Sequence, residues 1–312
     1  MSYNFDNLWI EKYRPKKLDD FVISQDNKRV IESFNTKKEI PNLLFTGTPG
    51  LGKTSLAKII VNDLLNCQYL YINASDENGI DTIRTKVTGF AQTKSIDGTV
   101  KVIILDETDG LSMDAQRALR NTMEEFAKIT RFILTANYKY RVIAALQSRC
   151  QSLDLTPPLE GVVKRIGSIL KSEKVEVSND LKPKLLEFIK SNYPDLRKTI
   201  NELQKYSSNG VLNLKNVDNN QILGLIFSEI RKGNTNNLRK ALIENENQFN
   251  SDYILLLRNL FNYIDENETN LTVKKELLII VAEFIYRSSF VVDQEINCYA
   301  CFIALSNVKA NI

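Results

Sequence analysis

Short apolar runs alternate with helical segments along the first half of the chain. NLLFTG, YLYINAS, KVIILDE, RFILTAN and SLDL are each nearly continuous in hydrophobicity. Such runs suit strands that are buried on both faces, and their alternation with helices predicts a parallel sheet flanked by helices. The preceding segment, DNKRVIESFNTKKE, is predicted to be an exposed helix. The pattern ends near the paired prolines at 157–158, which break any regular element.

From Leu159 onward the strands disappear and only helical patterns remain. GVVKRIGSILKSE, LKPKLLEFIKSN and PDLRKTINELQKYSSNG predict three short helices, the last running from Pro194 near its first turn to Gly210. Beyond about residue 218, longer segments carry wide apolar faces, which predict a helical bundle that also packs against other subunits. We therefore predict three domains: an α/β domain at 1–156, a small helical domain at 157–215 and an all-α oligomerisation domain at 216–312.

The composition excludes several kinds of catalytic site but does not identify a binding partner. The 312 residues carry 41 Lys plus Arg against 38 Asp plus Glu, a formal net charge of +3, so overall charge does not argue for nucleic acid. The sequence has no histidine, which excludes a histidine base, a Ser-His-Asp triad and histidine-ligated metal. Catalysis must then depend on carboxylates, lysine, arginine and a metal bound with a nucleotide.

Cysteine usage and the absence of long apolar runs point to an intracellular protein. Only Cys298 and Cys301 of the four cysteines form a CxxC pair, and a zinc site needs four converging ligands, so free thiols in a reducing cytosol are favoured. The N-terminus lacks an apolar signal core, and no run approaches about 18 apolar residues. We expect a cytoplasmic protein with no membrane partner.

The stretch GTPGLGKT at 47–54 predicts a phosphate-binding loop. It fits the pattern G-x-x-x-x-G-K-[ST], follows an apolar strand and precedes a helix. Backbone N–H groups at the start of that helix can converge on the β-phosphate of ATP. Lys53 then reaches the β- and γ-phosphates, and the Thr54 hydroxyl can ligate Mg²⁺. The remaining nucleotide contacts are expected from the loop and its flank: Thr48, Pro49, Gly50, Leu51, Gly52 and Ser55.

Two strand ends carry polar side chains that complete the predicted hydrolytic site. KVIILDE ends in Asp106 and Glu107, and buried acids are costly unless they have a partner. In a P-loop fold Asp106 would hold Mg²⁺ and Glu107 would polarise the attacking water. RFILTAN ends in Asn137, which can orient that water or contact the γ-phosphate, although an asparagine at a strand end is commonly a turn residue.

These motifs together resemble the AAA+ clamp-loader ATPases of DNA replication. The resemblance rests on KYRP at 12–15, the P-loop, NASD at 73–76, AQRALRNTMEE at 115–125, TAN at 135–137, SRC at 148–150 and PDLRKTINEL at 194–203. It looks closest to the ATPase subunit of T-even-type bacteriophage clamp loaders and is similar to the small subunits of cellular replication factor C. The motifs span the first two thirds of the chain.

The resemblance implies a hetero-oligomeric machine. Four copies of this chain would join a different clamp-loader subunit in a pentameric spiral that opens a ring-shaped sliding clamp and grips primer-template DNA when ATP is bound. Hydrolysis would then release the closed clamp on DNA. The helical domain at 157–215 would be the lid over the nucleotide, and the domain at 216–312 would be the collar of the spiral.

The same resemblance assigns roles to basic and aromatic side chains. Arg149 of SRC would be an arginine finger that reaches the neighbouring subunit's ATP, since a planar fixed cation stabilises charge on the transferred phosphoryl group. Arg197 of PDLRK would sense the γ-phosphate from the lid. The residues of KYRP would line the adenine side: Lys12, Tyr13, Arg14 and Pro15.

Coupling, DNA and clamp contacts are also implied by the resemblance. Gln116 and Arg120 lie at i, i+4 on a central helix, SMDAQRALRNTMEEF, between the ATP site and DNA; an ordinary solvated face fits that spacing equally well. The start of the helix after NASD would meet the DNA backbone through Asn78, Gly79, Thr82 and Arg84. In the segment 87–98, Val87 and Phe90 would dock in apolar pockets of the clamp, with a core role for Phe90 as the alternative.

Two other functions remain open at this stage. A helicase-loading or replication-initiator ATPase would share the fold but needs a DNA-binding appendage, and the helical C-terminus contains no evident recognition module. A nucleotide-gated structural subunit would bind ATP without hydrolysing it. Such a subunit needs no intact Lys53, Thr54, Asp106, Glu107 or Arg149, and all five are present.

Overall fold

The computed structural model describes residues 8–37, 39–93, 100–207, 210–214, 219–233, 235–246, 249 and 251–308. The chain divides into two compact units, Met1–Asn213 and Leu214–Ile312. Each unit is considered by itself below. The first contains the sheet and every predicted nucleotide, DNA and clamp residue, and the second is all-helical over its described part.

A five-stranded parallel sheet forms the centre of the first unit, in the order β2-β3-β4-β1-β5. Each of the five apolar runs forms one of its strands, so the predicted α/β fold class is confirmed. The strands are β1 (Leu43–Thr46), β2 (Tyr69–Asn73), β3 (Lys101–Asp106), β4 (Thr130–Ala136) and β5 (Gln151–Asp154). All five run in the same direction, so their carboxyl ends meet at one edge of the sheet.

Helices cover both faces of the sheet, and alternate strand residues serve the two cores. Phe45 and Ile104 pack with one set of helices, whereas Leu44 and Ile103 pack with the other. This alternation follows from the period of two in a strand. The helices of this region are α1 (Trp9–Lys12), α2 (Gln25–Lys37), α3 (Lys53–Ile59), α4 (Ile80–Thr82), α5 (Thr88–Gln92), α6 (Met113–Glu125) and α7 (Ala144–Gln147), with π-turns at Ile60–Leu64 and Ile83–Val87. Neither core contains a residue of α1 or α4.

Two burial expectations from the hydrophobic pattern are wrong. The edge strands β2 and β5 are not buried on both faces: Tyr69 and Tyr71 are 36% and 37% exposed. An edge strand has a neighbouring strand on one side only. Its side chains are therefore less covered by the helices and more exposed to solvent than those of the central strands. Helix α2 is exposed on one face alone, because Ile31 and Phe34 pack into the core.

Three helices follow the sheet, as predicted: α8 (Leu159–Ser172), α9 (Leu181–Asn192) and α10 (Leu196–Tyr206). The last is shorter than the predicted span from Pro194 to Gly210. Asp195 precedes its first turn and its side chain accepts a hydrogen bond from the Lys198 amide at 2.8 Å. A side-chain cap of this kind fixes where a helix starts, and the sequence pattern did not distinguish it from a proline start.

The second unit is a bundle of the predicted amphipathic helices. They are α11 (Asn219–Lys232), α12 (Thr235–Glu244), α13 (Tyr253–Asn267), α14 (Leu271–Arg287) and α15 (Gln294–Ser306). Cys298 and Cys301 are fully buried in its core, and burial raises the pKa of the Cys301 thiol to about 12, so both act as apolar packing groups. Among the described residues no helix is long and apolar enough to cross a membrane.

The predicted domain boundary at residues 215 and 216 lies outside the described residues. The three-domain division therefore stays a prediction.

Candidate nucleotide site

The loop between β1 and α3 depends on three glycines for its shape. Gly47, Gly50 and Gly52 have φ angles of +136°, +84° and +86°, which side-chain-bearing residues rarely adopt. Space is also restricted, since a Cβ added to Gly50 would lie 1.9 Å from Oδ1 of Asp195 at the start of α10. The loop backbone can thus pass close to the start of α10 only with glycine at this position.

Replacing Gly50 by alanine is therefore expected to weaken ATP binding on the order of ten-fold or more, through left-handed backbone strain and the clash with Asp195. Titration with a fluorescent ATP analogue measures this loss. Gly167→Ala is the matched control, because its Cβ would meet nothing within 4 Å inside helix α8 and its φ is not left-handed. Equal affinity of the two variants would contradict the assigned role of the loop.

Lys53 is almost buried and is held inside the loop. Its Nζ donates to the carbonyls of Gly47 at 2.7 Å and Thr48 at 2.9 Å and to Oδ1 of Asn137 at 2.7 Å. An ammonium group has three hydrogens, so all of its donors are used. Burial lowers the pKa of Lys53, and the nearby carboxylates of Asp109, Asp106 and Glu107 oppose that shift. A phosphate would replace at least one of these acceptors.

Three hydroxyl groups converge on the carboxylate of Asp106 at the end of β3. Thr54 Oγ1 lies 2.8 Å from both carboxylate oxygens, Thr135 Oγ1 donates to Oδ1 at 2.6 Å, and the Tyr71 hydroxyl donates to Oδ2 at 2.9 Å. Burial and the adjacent carboxylate raise the pKa of Tyr71, so its phenol remains a donor. Hydroxyl and carboxylate oxygens are hard ligands, and this donor set fits Mg²⁺.

Glu107 is exposed beside this cluster and lies on a sharp turn. Its φ of +57° directs the chain away from the sheet, and its amide donates to Thr135 Oγ1 at 2.9 Å. The Ser75 hydroxyl donates to its Oε2. Asp109, on the same turn, accepts from the amides of Asn137 and Tyr138 at 3.2 and 3.0 Å. The ends of β2, β3 and β4 are therefore linked by side chains.

Two adjoining depressions form one groove around the loop. The first is lined mainly by apolar groups of the N-terminal segment and α10, and the second contains Thr54, Tyr71, Asp106 and Glu107. Residues that line both depressions are Arg14, Pro15, Gly52, Ser55 and Arg197. The groove is thus apolar at one end and lined by oxygen ligands at the other. This arrangement suits a base and a phosphate-metal group, respectively.

The first depression also includes Tyr13, Gly50 and Leu51, so the structure brings most of the predicted nucleotide residues together. Lys53 and Asn137 lie beneath the loop, bonded to each other. Thr48 and Pro49 are exposed at its tip and do not line the groove. The roles assigned to all of these residues stay predictions.

The segment KYRP is fastened to the helices after the sheet. Lys12 Nζ lies 2.6 Å from a carboxylate oxygen of Glu173, which also accepts from the Tyr13 hydroxyl. Arg165 donates to the Tyr13 carbonyl at 2.9 Å, and the Trp9 amide donates to Gln204 at 2.9 Å. Movement of those helices would therefore carry the apolar end of the groove with it.

Arg149 lies away from the groove of its own chain. Its guanidinium pairs with Glu124 on α6 and donates to the Ala145 carbonyl at 2.7 Å. It lines neither depression, and it is partly exposed. An arginine finger that acts on a neighbouring subunit has to be placed in this way, although the position alone does not assign that role.

Gln116 is not on a solvated face. Its side chain is 1% exposed, donates to the carbonyls of Leu111 and Arg141 at 3.2 and 3.1 Å, and accepts from the Ile143 amide at 2.8 Å. The alternative of an ordinary polar face is therefore wrong for this residue. Arg120 is half-buried and donates to Asn121. Gln116 thus joins α6 to the segment after β4.

The predicted DNA residues lie together at the start of α4. Asn78, Gly79 and Arg84 are exposed and Thr82 is half-buried. The Asn78 carbonyl accepts from the amide of Ser112, the residue that caps α6, at 3.1 Å. This end of α4 is therefore accessible and tied to the central helix, and its contact with DNA stays a prediction.

The clamp-docking prediction needs one correction. Val87 is 0% exposed in the core between α6 and the sheet, so it cannot enter a pocket on a partner. The apolar pattern was interpreted as an anchor because burial cannot be read from a single position. Phe90 is half-buried, with Lys101 Nζ 4.1 Å from its ring centroid, and stays a candidate. Residues 94–98 of the predicted segment lie outside the described residues.

Sequence reasoning missed several groups of the site. Tyr71 and Thr135 bind Asp106, Ser75 binds Glu107, and Asp195 packs over Gly50. One signal was available for Tyr71: it lies two residues before Asn73 at the end of a predicted strand, and residues two apart in a strand point to the same face. In the structure Asn73 is the register partner of Asp106. The other contacts join segments whose proximity only the folded chain reveals.

Comparison with family models gives two adjacent matches. Residues 43–157 match the ATPase family associated with various cellular activities (AAA), and residues 159–215 match the AAA+ ATPase lid domain of the sliding-clamp-loader large subunit. The first match contains the loop, Asp106 and Glu107, and the second contains Arg197. The N-terminal part of the groove lining, which includes Tyr13 and Pro15, lies outside both matches.

Similar proteins extend the likeness over the whole chain. The replication factor C small subunit of Sulfurisphaera tokodaii is 38% identical over 324 aligned positions, covering 98% of this chain and 97% of that protein. The same subunit of Picrophilus torridus is 33% identical and covers 98% and 99%. The Thermotoga maritima RuvB Holliday junction branch migration motor has a TM-score of 0.52 at 23% identity, covering 74% of this chain and 85% of that chain. That last likeness shows the fold alone.

Proposed function

Because the chain belongs to the replication factor C small-subunit family of AAA ATPases, we propose that it is the ATP-hydrolysing subunit of a sliding-clamp loader in DNA replication. ATP binding drives clamp opening and the gripping of primer-template DNA, and hydrolysis releases the closed clamp. The observation that supports this best is the composite groove. Arg197 of the lid and Glu107 of the sheet line one depression together with Thr54 and Asp106.

Nucleotide binding uses both parts of the groove. The base enters the apolar depression beside Tyr13 and Pro15, and the phosphates lie against the loop amides and Lys53. Mg²⁺, held by Thr54 and Asp106, would neutralise phosphate charge. Arg197 adds a cation from the lid. Because KYRP is attached to the same helices, closure of the lid on ATP would move the adenine side too.

Glu107 and Asn137 have different roles in the proposed hydrolysis. Glu107 is exposed and lines the depression that contains Thr54 and Asp106, which supports a role for its carboxylate as the base that accepts a proton from water. Ser75, which binds this carboxylate, comes from the segment that leads to the predicted DNA helix. Asn137 accepts a hydrogen bond from the Lys53 ammonium and contacts the γ-phosphate or orients the attacking water. Arg149 acts in trans on the ATP of the next copy.

The assembly proposed is a pentameric spiral of four copies and one different subunit, with residues 216–312 as the collar and residues 157–215 as the lid. Partners are the sliding clamp, that other subunit and primer-template DNA. DNA contact at Asn78, Gly79, Thr82 and Arg84 would reach the nucleotide site through Ser112 and Gln116, which join α4, α6 and the segment after β4.

The test is steady-state ATP hydrolysis by the purified chain, alone and with the partner subunit, clamp and primer-template DNA. We expect turnover to require Mg²⁺ and to rise when clamp and DNA are both present. Turnover that is indifferent to clamp and DNA would overturn the clamp-loader function and leave a different AAA machine, such as a helicase loader.

Replacing Tyr71 by phenylalanine is expected to raise the Mg²⁺ concentration needed for half-maximal ATP binding several-fold. The change removes only the hydroxyl that binds Oδ2 of Asp106 at 2.9 Å, so the carboxylate loses one of three groups that orient it. Mg²⁺ titration of a fluorescent ATP analogue reports this without turnover.

Tyr69→Phe is the matched control for Tyr71→Phe. Tyr69 lies on the same face of β2, is equally exposed, and has no hydrogen bond from its hydroxyl within the described residues. An unchanged Mg²⁺ requirement in Tyr71→Phe, or the same shift in both variants, would contradict the role of Tyr71.

A further inference from the structure

The segment after β4 carries an exposed group of aromatic and cationic side chains with no role in the proposed function. We call residues 138–141, with the sequence YKYR, the tyrosine loop. Tyr138 is 46% exposed and Tyr140 is 77% exposed, and Lys139 and Arg141 are exposed as well. The tyrosine ring centroids lie 5.8 Å apart, and the Arg141 guanidinium lies 4.9 Å from the Tyr138 centroid.

The backbone of the tyrosine loop is fixed although its side chains point to solvent. Gln147 donates to the carbonyls of Lys139 and Val142 at 3.0 and 2.7 Å, and Gln116 donates to the Arg141 carbonyl at 3.1 Å. At the other end, the Tyr138 amide donates to Asp109 at 3.0 Å. A rigid backbone lowers the entropy lost when its side chains bind a partner.

The side chains of the tyrosine loop have unused binding capacity. Within the described part of the chain, neither tyrosine hydroxyl has a hydrogen-bond partner, and no carboxylate pairs with Lys139 or Arg141. Asp109, the acid that contacts the loop, is already bound by the amides of Asn137 and Tyr138. The loop therefore presents two aromatic faces and two unneutralised cations.

We propose that the tyrosine loop binds an unpaired nucleic-acid strand. Bases would stack on the rings of Tyr138 and Tyr140, and the flanking phosphates would meet Lys139 and Arg141. A single strand presents π-faces and negative charges in regular alternation, whereas a duplex hides the faces of its bases. The loop directly follows Asn137, which binds Lys53, so strand binding occurs next to the nucleotide site. The inference rests on the proposed function only in taking DNA as a partner.

The experiment compares DNA binding by the full chain and by two double variants. Fluorescence anisotropy is measured with a labelled unstructured single strand and with a blunt duplex, at low salt. Tyr138→Ala with Tyr140→Ala should lower affinity for the single strand about five-fold or more per stacked base and leave duplex affinity unchanged. Tyr138→Phe with Tyr140→Phe keeps both rings and should bind like the unaltered chain.

A salt series provides a second readout. Lys139→Ala with Arg141→Ala should reduce the dependence of single-strand affinity on salt by an amount that corresponds to about one to two phosphate contacts. Equal single-strand affinity of the alanine pair and the unaltered chain would overturn the proposal. So would an equal loss on single strand and duplex, or a change in oligomer size by light scattering with DNA affinity unchanged, which would assign the loop to a contact between copies.

The two proposals fail in different ways. If the unaltered chain does not bind the single strand while clamp and primer-template DNA still stimulate its ATP turnover, only the tyrosine loop proposal is lost. If the single strand binds through the tyrosines but turnover ignores clamp and DNA, the clamp-loader function is lost and the binding surface remains.

Discussion

Replacing Glu107 by glutamine is expected to reduce ATP turnover by about 10²-fold or more while ATP affinity changes little. Glutamine retains the size of the side chain but cannot accept a proton from water. Glu107 makes no bond to Lys53 or to the loop, so the phosphate-binding groups stay in place. Phosphate release measures turnover, and a fluorescent ATP analogue measures affinity in the same preparation.

Glu125→Gln is the matched control for Glu107→Gln. Glu125 is exposed at the end of α6 and lines neither depression of the groove, so the same chemical change there should leave turnover unaffected. If Glu107→Gln retained most of its turnover, another group would have to activate water, and the task assigned to Glu107 would be wrong.

Removing the Arg149 side chain should reduce the rate of ATP hydrolysis in the assembled complex on the order of 10³-fold. ATP binding to the altered chain should not weaken. The reason is geometric: Arg149 lies outside the groove of its own chain and pairs with Glu124. Glu124→Gln removes that pairing and keeps the arginine, so it should retain turnover within a few-fold. Full activity of Arg149→Ala in the complex would refute the arginine finger.

Mixing two inactive variants tests whether Arg149 acts between copies. In a mixed assembly, a chain with Arg149→Ala keeps its own Glu107, and a neighbour with Glu107→Gln still supplies Arg149. Intact sites therefore form at some interfaces, and turnover should reappear on mixing. An arginine that acts within its own chain predicts no recovery.

Much of the candidate site was predictable because its residues follow strand ends. Asp106, Glu107 and Asn137 end two neighbouring parallel strands, and the P-loop ends a third, so their carboxyl ends had to meet at one edge of the sheet. Asp195 and Glu173 could not be found in this way. Their contacts with Gly50 and Tyr13 join segments more than 140 positions apart in the sequence. A local sequence pattern carries no information about contacts between such distant segments.

Burial explains why the docking role of Val87 and the solvated-face alternative for Gln116 were wrong. Val87 and Gln116 lie on helical segments with mixed polar and apolar positions, and the pattern permits either face to meet solvent. The fold places Val87 in the core and makes Gln116 a buried bridge between α6 and the segment after β4. The same applies to the edge strand β2, whose apolar run is half-exposed and places the Tyr71 hydroxyl against the carboxylate of Asp106.

Local periodicity and spacing were enough to predict the succession of strands and helices along the chain, the glycine-rich loop after β1 and the acids at the end of β3. The convergence of three hydroxyls on Asp106, the attachment of KYRP to the helices after the sheet and the position of Arg149 outside its own groove became apparent only in the folded chain. Those arrangements depend on which distant segments pack together. Packing is set by the whole chain, whereas periodicity is set by a few neighbouring residues.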